Sequence, residues 1–337
     1  MKLTPGKVRG MQHLANERGV IAAAAMDQRG SLKKALSSAG GREVTSSDLE
    51  QFKALVAEVL TQHASAILLD PEYGLPAARR RAAGSGLLLA YEESGYDNTQ
   101  PGRLPDLLPL ESVQRIKQQG ADAVKVLIYY SPFEDAAIND QKHAFVERIG
   151  DECRANDIPF FLEFVGYDPA GGDEKGIEYA KRKPDVVAGS MAEFSKDQYG
   201  VDVLKVEVPV NLQFVEGTDA FKGQAAYDRQ QALDLFKSVA RVATKPFIYL
   251  SAGVSNAEFT EALRLAAEAG VPFCGVLCGR ATWKDGIAVF ARDGAVAFRG
   301  WLQTQGVQNI EAVNSCLYAA SSWYSFYDAS SADQLIA

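Results

Sequence analysis

Ala123-Val124-Lys125-Val126-Leu127-Ile128-Tyr129 is apolar at every position but one. A short run without polar alternation is what a parallel strand needs when both of its faces are covered. Seven further runs of this kind are spaced along the chain: Gly19–Met26, Ser65–Leu69, Gly86–Tyr91, Pro159–Phe164, Val203–Val208, Pro246–Leu250 and Phe273–Cys278. Amphipathic segments lie between them. Eight alternations of strand and helix predict an α/β protein, a single (β/α)8 barrel spanning residues 1–337. The rival, a doubly wound open sheet, lacks its G-x-G-x-x-G turn here.

The helical segments carry their own punctuation. Ser47-x-x-Glu50 reads as a capping box ahead of Leu49, Phe52, Leu55, Val56, Val59 and Leu60, and Ser255-x-x-Glu258 opens a second helix. Leu110–Gln119, Ala136–Arg154 and Gln224–Val242 fill other gaps, and Arg79-Arg80-Arg81 reads as a solvated helix face. A helix over residues 5–18 precedes the barrel. A C-terminal extension with Trp323, Tyr324, Phe326 and Tyr327 follows it and is expected to pack on the barrel or on a sister subunit.

Composition narrows the function. The 337 residues are 47% hydrophobic and 23% charged, as in an ordinary globular protein, and no run approaches a membrane span. The net charge of −8 disfavours nucleic acid held by a general electrostatic footprint. The N-terminus has no apolar run behind its lysines, and the four cysteines form no C-x-x-C pair, so a cytoplasmic protein with reduced thiols is expected. The three histidines, His13, His63 and His143, are far apart in sequence. Neither a His-rich zinc site nor a Ser-His-Asp triad is expected from them, and no metal or cofactor is.

Charges stand where an apolar core is required. Lys125 and Lys205 lie inside strand runs, Glu163 ends Pro159-Phe160-Phe161-Leu162-Glu163, and Asp27 directly follows Ile21–Met26. Burying any of them unpaired would cost several kcal/mol, so each needs partners or a task. Two structural ion pairs, Lys125–Asp27 and Lys205–Glu163, are one explanation. The other is chemistry: in a barrel the reacting groups project from the C-terminal ends of strands. Two neighbouring lysines repel, repulsion favours a neutral nucleophilic amine, and a carboxylate beside it can carry protons. After the last two strands come Ser251-Ala252-Gly253 and Cys278-Gly279-Arg280. Glycine admits a phosphate close to backbone N–H groups, and an arginine can fork onto its oxygens.

With these residues in view the chain resembles the class I, Schiff-base tagatose 1,6-bisphosphate aldolase family over residues 10–315. The resemblance is carried by Met26-Asp27-Gln28-Arg29-Gly30, Ile67–Gly74, Leu87–Glu92, Ile158–Glu163, Val201–Asn211, Tyr249–Ser255 and Gly275–Trp283. It implies a lyase that splits a ketohexose bisphosphate into dihydroxyacetone phosphate and glyceraldehyde 3-phosphate without a metal. It implies Lys205 as the Schiff-base lysine and Glu163 as acid/base, supported by Asp27 and Lys125. Ser251, Gly253, Gly279 and Arg280 would bind phosphate, with Gln28 and Arg29 beside the reacting chain. A phosphorylated ketose is the implied partner, and a homodimer or homotetramer the implied assembly. The sequence departs from the family in the tail after Ser315 and in the Phe164–Glu178 loop, and both are expected to shape the outer end of the pocket. Two alternatives stay open: an aldolase of the same family acting on 6-deoxy-6-sulfofructose 1-phosphate, and a sugar-phosphate-sensing regulatory protein.

Overall fold

The computed structural model describes residues 2–97 and 99–337. Each of the eight apolar runs forms a strand: β1 (Ile21–Met26), β2 (Ala66–Leu69), β3 (Gly86–Ala90), β4 (Ala123–Tyr130), β5 (Phe160–Gly166), β6 (Val203–Glu207), β7 (Phe247–Leu250) and β8 (Gly275–Cys278). Every strand pairs in parallel with its sequence neighbours, and β1 pairs with β8, so the sheet closes into a barrel. Helices join successive strands and pack their apolar stripes on the outer face, where the larger core cluster lies.

Inside the barrel, alternate residues of each strand face the axis. Ala123, Phe161, Val203 and Ile248 fill one interior layer. Two residues further along their strands come Lys125, Glu163 and Lys205, so the pleat that buries the apolar layer carries these charges to its C-terminal side.

Several local expectations shift. The helix expected to be capped by Ser47 is Ser46–Leu60, and its capping box is Thr45 with Asp48. Asp48 accepts from the Thr45 backbone N–H at 2.9 Å and is gripped by Arg42 at 2.8 Å, a partner Glu50 does not have. The fifth helix starts at Val113, after the Ser112 cap, rather than at Leu110. The segment expected to be helical from Gln224 first pairs Tyr227–Asp228 with Val215–Glu216. Its helix then runs Arg229–Ala240 from an Asp228–Gln231 capping box. The N-terminal helix stops at Leu14. Arg79 and Arg80 are exposed just past the end of helix Pro71–Ala78, and Arg80 reaches Glu58 at 3.5 Å.

The C-terminal tail packs on the barrel, at its N-terminal end. The Trp323 N–H donates to the Gly19 carbonyl and Ser321 to that of Phe273, both just ahead of strands. Buried Trp323 and Leu335 join Val8, Met11 and Leu14 of the first helix to plug that end, and Leu3 bridges to Ile336. Lys7 and Asp202 form a buried ion pair there at 2.7 Å. The tail is thus on the far side of the barrel from the charged layer and cannot shape the pocket's outer end, contrary to the expectation from sequence.

Candidate active site

A cavity of 380 Å³ opens at the C-terminal end of the barrel. All ten residues singled out from sequence lie at this end of the barrel. Asp27, Gln28, Arg29, Glu163, Lys205, Ser251, Gly253, Gly279 and Arg280 line the cavity, and Lys125 is wholly buried just beneath them.

Glu163 and Lys205 are register partners on β5 and β6, and Lys205 Nζ donates to Glu163 Oε2 at 2.8 Å. Lys125 Nζ lies 2.8 Å from that same oxygen and also donates to Asp27 Oδ2 at 2.8 Å and to Glu92 Oε1 at 2.7 Å. Both ion pairs expected on structural grounds therefore exist, but as parts of one network facing a cavity. The two lysines are neighbours, as expected. Their repulsion, however, is bridged by a shared anion, and Lys125 is enclosed by three carboxylates.

The electrostatics follow from this packing. Burial alone would push the Asp27 and Glu163 carboxyls up. The Lys125 and Lys205 ammoniums outweigh it and hold both below the ordinary carboxylate range. Burial opposes the charge of Lys125, but Asp27, Glu163 and Glu92 lift its pKa well above the usual lysine value. Glu92 goes the other way, since burial pushes its carboxyl up against the pull of Lys125 and Arg29.

Two members of the network went unread in the sequence. Glu92 directly follows the apolar run ending at Tyr91, yet it stands two residues beyond inward-facing Ala90 and so shares its side of the pleat. Lys53 sits on the apolar stripe of its helix and is wholly buried. It donates to the carbonyls of Met26 (2.9 Å) and Gln28 (2.8 Å), on either side of Asp27, and pairs with Asp70. In both cases the available signal was a charge at an apolar-face spacing.

Arg29 is turned away from the cavity's centre. Its Nη1 donates to Glu72 at 3.0 Å and its Nη2 to the Glu92 carbonyl at 2.7 Å. At the opposite wall, Ala252 and Gly253 take left-handed backbone conformations, with φ of 48° and 81°. A Cβ on Gly253 would lie 2.6 Å from Arg280 Cζ, so the guanidinium rests directly on this turn. Lys284 Nζ donates to the Gly253 carbonyl at 3.0 Å and steadies it. A second cavity of 650 Å³ shares the Leu250–Gly253 wall and Arg280; of the segment expected as a loop, Phe164–Gly166 belongs to β5 and Ile177–Glu178 to the next helix, and the loop between them borders this cavity through Glu174 and Lys175.

Among the described residues, no group of three or more His, Cys, Asp or Glu side chains is arranged to hold a metal ion. The four cysteines are free and buried, and burial pushes the Cys278 thiol up to about 12. Among the described residues no helix is long and apolar enough to cross a membrane.

Comparison with known proteins agrees with this architecture. The family profile described as "DeoC/LacD family aldolase" matches residues 21–285. The tagatose 1,6-diphosphate aldolase of Listeria monocytogenes serotype 4b (strain CLIP80459) is 53% identical over 328 residues, covering 97% of this chain and 96% of that protein. Tagatose 1,6-diphosphate aldolase 2 of Enterococcus faecalis is 54% identical over 325 residues, covering 96% and 97%. Among solved structures, fructose-bisphosphate aldolase from Plasmodium falciparum superposes with a TM-score of 0.70 at 15% identity, covering 95% of this chain and 97% of that one, which speaks to the barrel alone. With a profile match from the first strand past the last, and relatives above half identity over nearly the whole length, the chain belongs to the DeoC/LacD family of aldolases and is a lyase.

Proposed function

We propose that this chain is a class I aldolase that cleaves D-tagatose 1,6-bisphosphate, and related ketohexose bisphosphates, to dihydroxyacetone phosphate and glyceraldehyde 3-phosphate through a Schiff base on Lys205. The observation that carries the reading is a single carboxylate oxygen, Glu163 Oε2, 2.8 Å from the ammoniums of both Lys205 and Lys125 in the wall of the cavity. The names of the Listeria and Enterococcus relatives supply the substrate.

In this mechanism the Lys205 amine attacks the C2 carbonyl, and Glu163 passes protons as the carbinolamine loses water to an iminium. The iminium then accepts the electron pair of the breaking C3–C4 bond and becomes an enamine. A carboxylate takes the C4 hydroxyl proton as the aldehyde leaves. Glu163 is nearest the lysine and is the first choice for this base, with Asp27 the second. Ser251, the Gly253 and Gly279 amides and Arg280 would hold the C1 phosphate, so that binding away from the reacting bond orients the ketone.

Steady-state turnover of tagatose and fructose 1,6-bisphosphates by the purified chain, with and without EDTA, tests the proposal. Cleavage of tagatose bisphosphate undiminished by chelator is expected. Absence of turnover, or activity lost in EDTA and restored by zinc, would overturn it.

A further inference from the structure

The charged cluster at the head of the barrel does not balance. With Lys53 matched by Asp70 and Arg29 by Glu72, Lys125 and Lys205 supply two positive charges, while Asp27, Glu92 and Glu163 supply three negative ones if all are ionised. Glu92, Glu163 and both lysines are buried, and an uncompensated charge in such a place is costly. The group that gives up its charge should be the one that keeps a carboxylate oxygen buried and unmatched. Glu163 Oε2 meets both ammoniums, and Asp27 takes a hydrogen bond from Lys125 and lies in the field of Lys205 and Lys53. Among the described residues, Glu92 has Lys125 on Oε1 alone, and its other oxygen, Oε2, is buried with no donor.

We infer that Glu92 is a third carboxyl of the reaction site, held as the neutral acid, that grips Lys125 with one oxygen and offers the hydroxyl of the other to an oxygen of the bound ketose. Asp27, Lys125 and Arg29 are the charged groups that face it, with Glu163 on the far side of Lys125. Burial pushes the carboxyl up and Asp27 adds to the rise, against the pull of Lys125 and Arg29. Arg29 donates to the Glu92 backbone carbonyl and not to Oε2, so it does not hold that oxygen as an anion.

A buried O–H without an acceptor is itself unfavourable, and Glu92 lines the cavity, so the missing acceptor is supplied by what the cavity holds. A phosphate does not fit this role, because Asp27 and Glu163 would repel it. A hydroxyl or carbonyl oxygen on the carbon chain between the phosphates does. The rival reading makes Glu92 only a counter-ion for Lys125, and Lys125 already has two carboxylates.

This inference rests on the Schiff-base reading above, and trapping with dihydroxyacetone phosphate and borohydride tests that reading by itself. For Glu92, infrared difference spectra of wild type and Glu92→Gln at pH 7 should show a protonated-carboxyl C=O band that disappears in the variant. Kinetics with tagatose 1,6-bisphosphate should then separate Gln from Ala. Glu92→Gln keeps one donor and one acceptor and should lose a few-fold in kcat/KM. Glu92→Ala removes both and should lose about tenfold or more, chiefly through KM, while both variants still trap on Lys205. No acid band, or equal damage by Gln and Ala with trapping intact, would overturn the inference. If the alanine variant does not fold, the infrared comparison decides alone.

Discussion

Glu163 and Lys205 face one another across two neighbouring parallel strands in direct register, and the ammonium donates to the carboxylate at 2.8 Å. A strand pair fixes such a contact more firmly than loops can, because the pleat sets both Cβ directions and the ladder sets their spacing. The amine proposed to react therefore has its proton carrier in contact before substrate arrives.

That contact makes a covalent prediction. Dihydroxyacetone phosphate with borohydride should inactivate the protein and leave one modified lysine, Lys205, by peptide mass mapping. Lys205→Met should abolish the adduct while the fold survives, since the side chain faces a cavity. An adduct on Lys125 or on a surface lysine would reject the assignment.

The phosphate turn offers a steric prediction. Gly253→Ala puts a Cβ 2.6 Å from Arg280 Cζ at a φ of 81°, so both the turn and the guanidinium must move. Arg280→Lys keeps the charge and loses the fork. Each should raise KM for bisphosphates, by about tenfold, with a smaller effect on kcat. An unchanged KM in both would put the phosphate elsewhere.

Much of this architecture is legible in the sequence because its signals are local. The eight strands show as apolar runs, and Lys125, Glu163, Lys205 and Asp27 stand out as charges within or at the ends of them. Glu92 escapes because it lies one residue past the run ending at Tyr91, where a glutamate looks like ordinary loop. Only its parity with Leu88 and Ala90 betrays it. The Thr45 cap escapes because overlapping S/T-x-x-D/E patterns compete there, and the partner that decides, Arg42, is read only in three dimensions. The tail's aromatic residues announce burial but not which end of the barrel they cover, since that depends on contacts some three hundred residues apart in sequence, such as Leu3 with Ile336.

Lys142 supplies a stability prediction. Its side chain is wholly buried, and among the described residues Nζ donates only to the Tyr167 hydroxyl, at 2.9 Å. Burial pulls its pKa down to about 8, with Glu134 opposing and Arg103 assisting. The ordinary lysine value is 10.5, so between about 8 and 10.5 the unfolded chain binds more protons and stability should rise with pH. Below that window the cost of the buried charge is fully present. Lys142→Met removes it and should stabilise the protein at pH 7 by on the order of 1–3 kcal/mol in chemical denaturation. The gain should shrink as pH rises towards 10.5. A variant less stable at pH 7, or a difference that ignores pH, would contradict this account.

Lys125→Met tests how the network controls its carboxylates. In the wild type, burial would raise the Glu163 carboxyl, and Lys125 with Lys205 holds it down instead. Removing Lys125 takes away one of these cations while keeping much of the side-chain volume, so Glu163 must titrate at higher pH. If the Glu163 carboxylate is the working base, the acid limb of kcat/KM moves to higher pH in the variant. Each unit of displacement corresponds to about 1.4 kcal/mol of lost interaction with the cation. The limb belongs to the coupled cluster, so Asp27, held down by the same two lysines, moves with it. Stability shares the sign: a carboxylate with a depressed folded pKa stabilises above its unfolded value and loses this as pH falls. The variant should therefore be less stable at neutral pH, by about 3–5 kcal/mol for a buried pair broken on one side, and less dependent on acid pH. The competing idea is that Lys125 binds the substrate directly through a hydroxyl. That would raise KM at every pH and leave the limb where it was. A pH series of kcat/KM for both proteins, taken below the variant's melting temperature, separates the two, and an undisplaced limb would reject electrostatic control by Lys125.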